Sequence, residues 1–142
     1  MRRLLPGLWA GVLLCIAGLA TPAPFAVLSQ QDAGRVVGRI FAQEAWLSVV
    51  LGVLLLLLER RLAMQAAEAG RGSQLSTGML LALGALFCTV LGYFGLQPLM
   101  AAARAGQGSL GFGQLHAISF GLFGLKIVLV GALAWRALRP AD

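Results

Sequence analysis

The chain has very little charge and few chemically versatile side chains. Only 11% of its 142 residues are charged, five of them acidic, and there are two cysteines, one tyrosine, one histidine and one lysine. A soluble domain carries about 25% charged residues, so this scarcity excludes an ordinary globular protein and a disordered chain. Two cysteines without a CxxC or Cys/His cluster give neither a disulfide scaffold nor a zinc site. Cys15 and Cys88 both lie within apolar runs and read as small buried residues. Cys15 is excluded as a lipoprotein site by the bulky Leu14 before it.

What is present is apolar. The AVILMFWYC set supplies 59% of the residues, and mean hydropathy is +0.87. The length suits one domain, and four spans of ~20 residues leave about 60 positions for loops and tails. Uninterrupted hydropathy places the spans at about 8–28, 40–58, 75–96 and 115–135. The expected fold is therefore an all-α bundle of four transmembrane helices, forming a single domain over 1–142. Pro22 and Pro24 kink or end the first span, and Gln97-Pro98 closes the third. Glu59 to Glu68 continues the second helix into water until Gly70-Arg71-Gly72-Ser73 breaks it.

The net charge of +6 is no nucleic-acid footprint, because the arginines flank hydrophobic runs and form no basic stripe. With four crossings, Arg2, Arg3, Arg60, Arg61, Arg71, Arg136 and Arg139 fall on one side. Arg35, Arg39 and Arg104 fall on the other, so both termini are expected in the cytoplasm. The N-terminal run also resembles a signal peptide, with Thr21 and Ala23 at the −3 and −1 positions. Pro22 and Pro24 oppose cleavage, and Phe25-Ala26-Val27-Leu28 prolongs the apolar run, so an uncleaved first span is expected.

Small residues at four-residue spacing mark possible close helix approach: Gly7, Gly11, Cys15 and Gly18 in the first span, Gly84, Cys88 and Gly92 in the third, and Ala117, Gly121 and Gly124 in the fourth. GVLLC (Gly11 to Cys15) and GALFC (Gly84 to Cys88) share three of five positions, and Pro24 and Pro98 follow at nine and ten residues. This hints at two hairpins related by an axis along the membrane normal.

Ionisable side chains inside a bilayer are costly and are functional candidates by default. Glu44 in the second span and His116 and Lys126 in the fourth qualify, with Ser119 one turn from His116. At 1.5 Å per residue, Glu44 and His116 lie ~8 and ~13 Å to the outer side of the midplane, and Lys126 sits close to it. A Glu44–His116 hydrogen bond is therefore one expectation. Glu44 could equally be an interfacial residue near the start of its helix. For Lys126 the plain alternatives are snorkelling or pairing with an interior carbonyl. One histidine cannot supply two haem ligands, and no Walker loop, GxSxG or HExxH motif occurs. No catalytic residues, metal ligands or cofactor are assigned.

The order AxPFAVL (Ala23 to Leu28), AGRVVGRIF (Ala33 to Phe41), QPLMAAAR (Gln97 to Arg104) and FGQLHAIS (Phe112 to Ser119) resembles the family called domain of unknown function 4149. That family is similar to the transmembrane protein 205 group. The resemblance runs from about Leu8 to Trp135 and is carried mostly by the end of span one and the Leu-His-x-x-Ser opening of span four. It implies a four-helix integral membrane protein, with Pro24, Gly34, Gly38, Phe41, Pro98, Phe112, His116 and Ser119 as pattern positions.

The combined reading is a multi-pass membrane protein with an accessory, assembly or scaffold role and no evident catalytic site. The alternative is a small proton-coupled transporter or a haem- or metal-handling protein using the intramembrane His, Glu and Lys. Expected partners are the lipid bilayer and a membrane protein or a second copy, with no nucleic acid. High Arg over Lys usage with abundant Ala, Gly and Leu suggests a high-GC bacterial genome and thus the inner membrane.

Overall fold

The computed structural model describes residues 3–139, so Arg2 of the charge count lies outside the described residues. Four helices follow in order: α1 (Leu4–Val27), α2 (Gln30–Glu68), α3 (Thr77–Arg104) and α4 (Phe112–Leu138), each long and apolar enough to cross a membrane. No strand occurs among the described residues.

Local chemistry sets the helix ends. Ser29 caps α2, its Oγ accepting from the Asp32 amide at 3.2 Å, and Ser76 caps α3 by accepting from the Met79 amide at 3.2 Å. Both satisfy an amide that the first turn leaves without a partner. α2 ends as its sequence requires: Arg71 donates to the Ala66 carbonyl and Gly70 to that of Ala67, with Gly70 at φ +69°. This left-handed closure favours glycine, and α3 repeats it with Gln107 on Ala102 and Gly106 at φ +73°.

Gln97-Pro98 does not close the third span. The helix runs on to Arg104 because Pro98 falls in the first turn after a π-helical segment, Val90–Gly95, where a missing N–H costs little. α1 likewise carries a π segment, Ile16–Ala20, and resumes at Pro22–Val27. The two π segments follow the matching GVLLC and GALFC stretches, so the hairpin likeness extends from sequence to backbone.

α4 packs extensively on α1 and α3, α3 also packs on α2, and α1 touches α2. α2 and α4 therefore face each other across the bundle. Trp9, Leu13, Leu55, Ala82, Ala85, Val130 and Leu133 form the core. Large apolar side chains such as Leu19, Val50, Phe87, Phe120 and Val128 are exposed, as expected where lipid is the solvent.

The small-residue stripes divide. A Cβ at Gly52 would meet Leu86 Cδ2 at 2.6 Å and Trp9 Cη2 at 3.3 Å, and one at Gly84 would meet Leu129 Cδ1 at 3.0 Å. At Gly7, Gly11, Gly18, Gly121 and Gly124 nothing lies within 4 Å. The α1 stripe thus does not make the helix contact expected of it, and Cys15 is exposed on the bundle surface while Cys88 is buried.

Candidate functional site: a buried polar chain across three helices

Glu44 and Lys126 each lie fourteen residues in from the first residue of their helix, Gln30 or Phe112. The burial patterns of the two helices match at that offset. Ala33 and Leu115, Glu44 and Lys126, and Ser48 and Val130 are all buried, and Phe41 meets its counterpart Phe123 edge-on at 5.1 Å. The facing helices therefore bring an acid and a base to the same depth on opposite walls of the bundle.

They meet. Lys126 Nζ donates to Glu44 Oε1 at 2.6 Å, with both side chains almost wholly shielded (4% and 3% exposed). Glu44 Oε1 also accepts a short hydrogen bond from the Ser48 hydroxyl, one helical turn on. Ser48 Oγ in turn accepts from Trp9 Nε1 at 2.9 Å. The face of Phe123 lies 4.8 Å from Lys126 Nζ, a distance at which the ring quadrupole attracts the ammonium. Trp9, Ser48, Glu44 and Lys126 thus form one polar chain that ties α1 to α2 and α2 to α4.

This corrects the expected partners. Glu44 pairs with Lys126 and not with His116, and it stands well inside α2 rather than at its start. Lys126 neither snorkels nor seeks a carbonyl. His116 is exposed near the start of α4, stacked on Phe112 at 5.8 Å, and Arg104 covers the same ring at 4.5 Å. Ser119 donates to the Gly92 carbonyl at 3.1 Å, which serves a backbone group of the α3 π segment. His116 and Ser119 accordingly belong to the packing at one end of α3 and α4, apart from the charged pair.

The remaining pattern positions have plain surroundings. A Cβ at Gly34 or Gly38 would meet nothing within 4 Å, and the Pro24 carbonyl accepts from Leu28 at 2.9 Å. Among the described residues, no three His, Cys, Asp or Glu side chains are grouped to hold a metal.

Three residues, Glu59, Trp9 and Ser48, were not legible as site residues in the sequence. Glu59, expected to lead α2 into water, is buried, and its carboxylate lies where a Cβ on Gly78 would be. It faces the first turn of α3, where the helix dipole favours an anion. A glycine two residues past the Ser76 cap was the available signal. Trp9 was missed because an indole in an apolar run carries no sign that its N–H finds a distant serine.

The profile of a family described as domain of unknown function (DUF4149) matches residues 4–109. The chain belongs to this family. The DUF4149 match takes in α1, α2 and α3 and stops before Phe112, so the Leu-His-x-x-Ser stretch thought to carry the resemblance lies beyond it. Within the match fall Trp9, Glu44 and Ser48, while Lys126 lies outside it. No curated protein and no solved structure matches the chain.

Proposed function

We propose that this DUF4149 protein is a non-enzymatic component of a bacterial inner membrane, with both termini cytoplasmic. In this reading it serves another membrane protein, or a second copy, in an accessory or assembly role. The observation that carries the reading is the Lys126–Glu44–Ser48–Trp9 chain. The intramembrane charges are joined to each other by hydrogen bonds, an arrangement suited to fixing helix register. The match in depth of the two charged residues supports it, since a lock between opposite walls needs its halves level. A single misplaced turn (~5.4 Å) would leave both charges unpaired in a medium of low dielectric.

The test is replacement of both charges together. A strain lacking the protein is complemented with Glu44→Leu/Lys126→Met, with its abundance in the membrane measured. Restoration at wild-type abundance is the expected result, because a register lock is replaceable by apolar packing. Failure to complement at unchanged abundance would overturn the reading and favour a proton-coupled role for the pair.

A further inference from the structure

Five turns of α2 present one continuous outward stripe: Arg39, Gln43, Trp46, Val50, Val53 and Leu57, all exposed. The spacing of four, three, four, three and four residues keeps them on one helix face. The stripe is graded along its length. A guanidinium and an amide stand at one end, an indole follows, and three aliphatic side chains complete it.

The polar end is a shallow groove lined by Arg39, Ala42, Gln43 and Trp46. Trp46 is buttressed by an edge-on contact with Phe94 of α3 at 5.1 Å, and Phe94 meets Tyr93 in the same way. Arg35, one turn before Arg39, is engaged by Asp32 at 3.4 Å. Among the described residues, Arg39 itself has no ion pair or hydrogen bond.

Arg39 and Arg60 are separated by ~31 Å of helix at 1.5 Å per residue, which is about the hydrocarbon thickness of a bilayer. That places Arg39 at a headgroup boundary, and Trp46, ~10 Å below it at 1.5 Å per residue, beside acyl chains with the aliphatic residues. A guanidinium offers forked donors that match phosphate oxygens, and the Gln43 amide adds a donor one turn below.

We infer that the Arg39–Gln43–Trp46 groove is a binding site for one anionic phospholipid of the leaflet that Arg39 faces. The phosphodiester is held by Arg39 and Gln43, and an acyl chain runs along Trp46, Val50, Val53 and Leu57. The polarity gradient of the stripe follows that of the lipid from head to tail.

The experiment is native mass spectrometry of the detergent-purified, delipidated protein with palmitoyl-oleoyl phosphatidylglycerol and the matching phosphatidylcholine as probes. One bound phosphatidylglycerol is expected, preferred about tenfold, the order of effect of one charge-assisted contact. Arg39→Ala/Gln43→Ala should abolish the preference with helical circular dichroism unchanged. Arg71→Ala, in the loop between α2 and α3, should leave the preference intact. Equal binding of the two lipids, a preference that survives Arg39→Ala/Gln43→Ala, or one that falls equally in Arg71→Ala would each overturn the proposal.

Discussion

The ammonium of Lys126 lies 2.6 Å from Glu44 Oε1, and the two residues hold corresponding places in the helices that face each other across the bundle. Phe41 and Phe123, three residues earlier in each helix, meet edge-on, so the correspondence extends beyond the charged pair. An acid on one wall and a base on the other need no solvent to neutralise them. That arrangement lets a bilayer protein keep both groups in its interior, where either alone would be costly.

The Trp9–Ser48 hydrogen bond extends the pair to α1. Trp9→Phe keeps most of the ring volume and removes the donor, and should lower stability by roughly 1 kcal/mol. Ser48→Ala should cost a similar amount. Because both act on one chain of hydrogen bonds, the double variant should cost less than the two together. Thermal melting of the four proteins in the same detergent checks this.

Glycines in the bundle should respond to alanine according to what stands beside them. Gly52→Ala places a methyl against Leu86 and Trp9, and Gly78→Ala places one on the Glu59 carboxylate. Each should destabilise by roughly 1–3 kcal/mol, the usual cost of overpacking. Gly11→Ala meets nothing within 4 Å and should be neutral or slightly stabilising through better helix propensity. Melting temperatures of the three variants separate the classes.

The two π segments make opposite predictions for their nearby hydroxyls. Ser119 donates to the Gly92 carbonyl, so Ser119→Ala should cost about 0.6 kcal/mol, the average for such bonds in a membrane bundle. Thr21 follows the α1 π segment, and its buried Oγ1 has no hydrogen-bond partner among the described residues. Thr21→Val keeps the shape, removes the unserved hydroxyl and should stabilise by up to about 1 kcal/mol. Unfolding of both variants under denaturant titration in one detergent tests the signs.

The four crossings were legible because bilayer thickness writes itself into the sequence as ~20-residue apolar runs. The Gly70 break was legible because a left-handed helix end selects glycine. Glu44 and Lys126 were singled out for a related reason: a charge in an apolar run stands out against its neighbours. Their partnership was not legible, since it depends on which helices face each other and on the relative height of α2 and α4. Depth counted from predicted span ends set Glu44 level with His116, whereas the folded bundle sets it level with Lys126. The extension of α3 past Gln97-Pro98 was hidden because a proline reads as a stop unless the π segment before it is known. The open glycines of α1 show the converse limit, for spacing alone does not say which face of a helix meets another helix.

The most direct measurement is a double-mutant cycle on Glu44→Leu and Lys126→Met, with melting followed in one lipid nanodisc composition. Each single variant leaves one buried charge without its partner and should lose roughly 3–5 kcal/mol, while the double variant should return close to wild type. A large coupling free energy of that sign would establish the pair as a structural lock between α2 and α4. Additive losses, with the double variant less stable than either single one, would contradict the account.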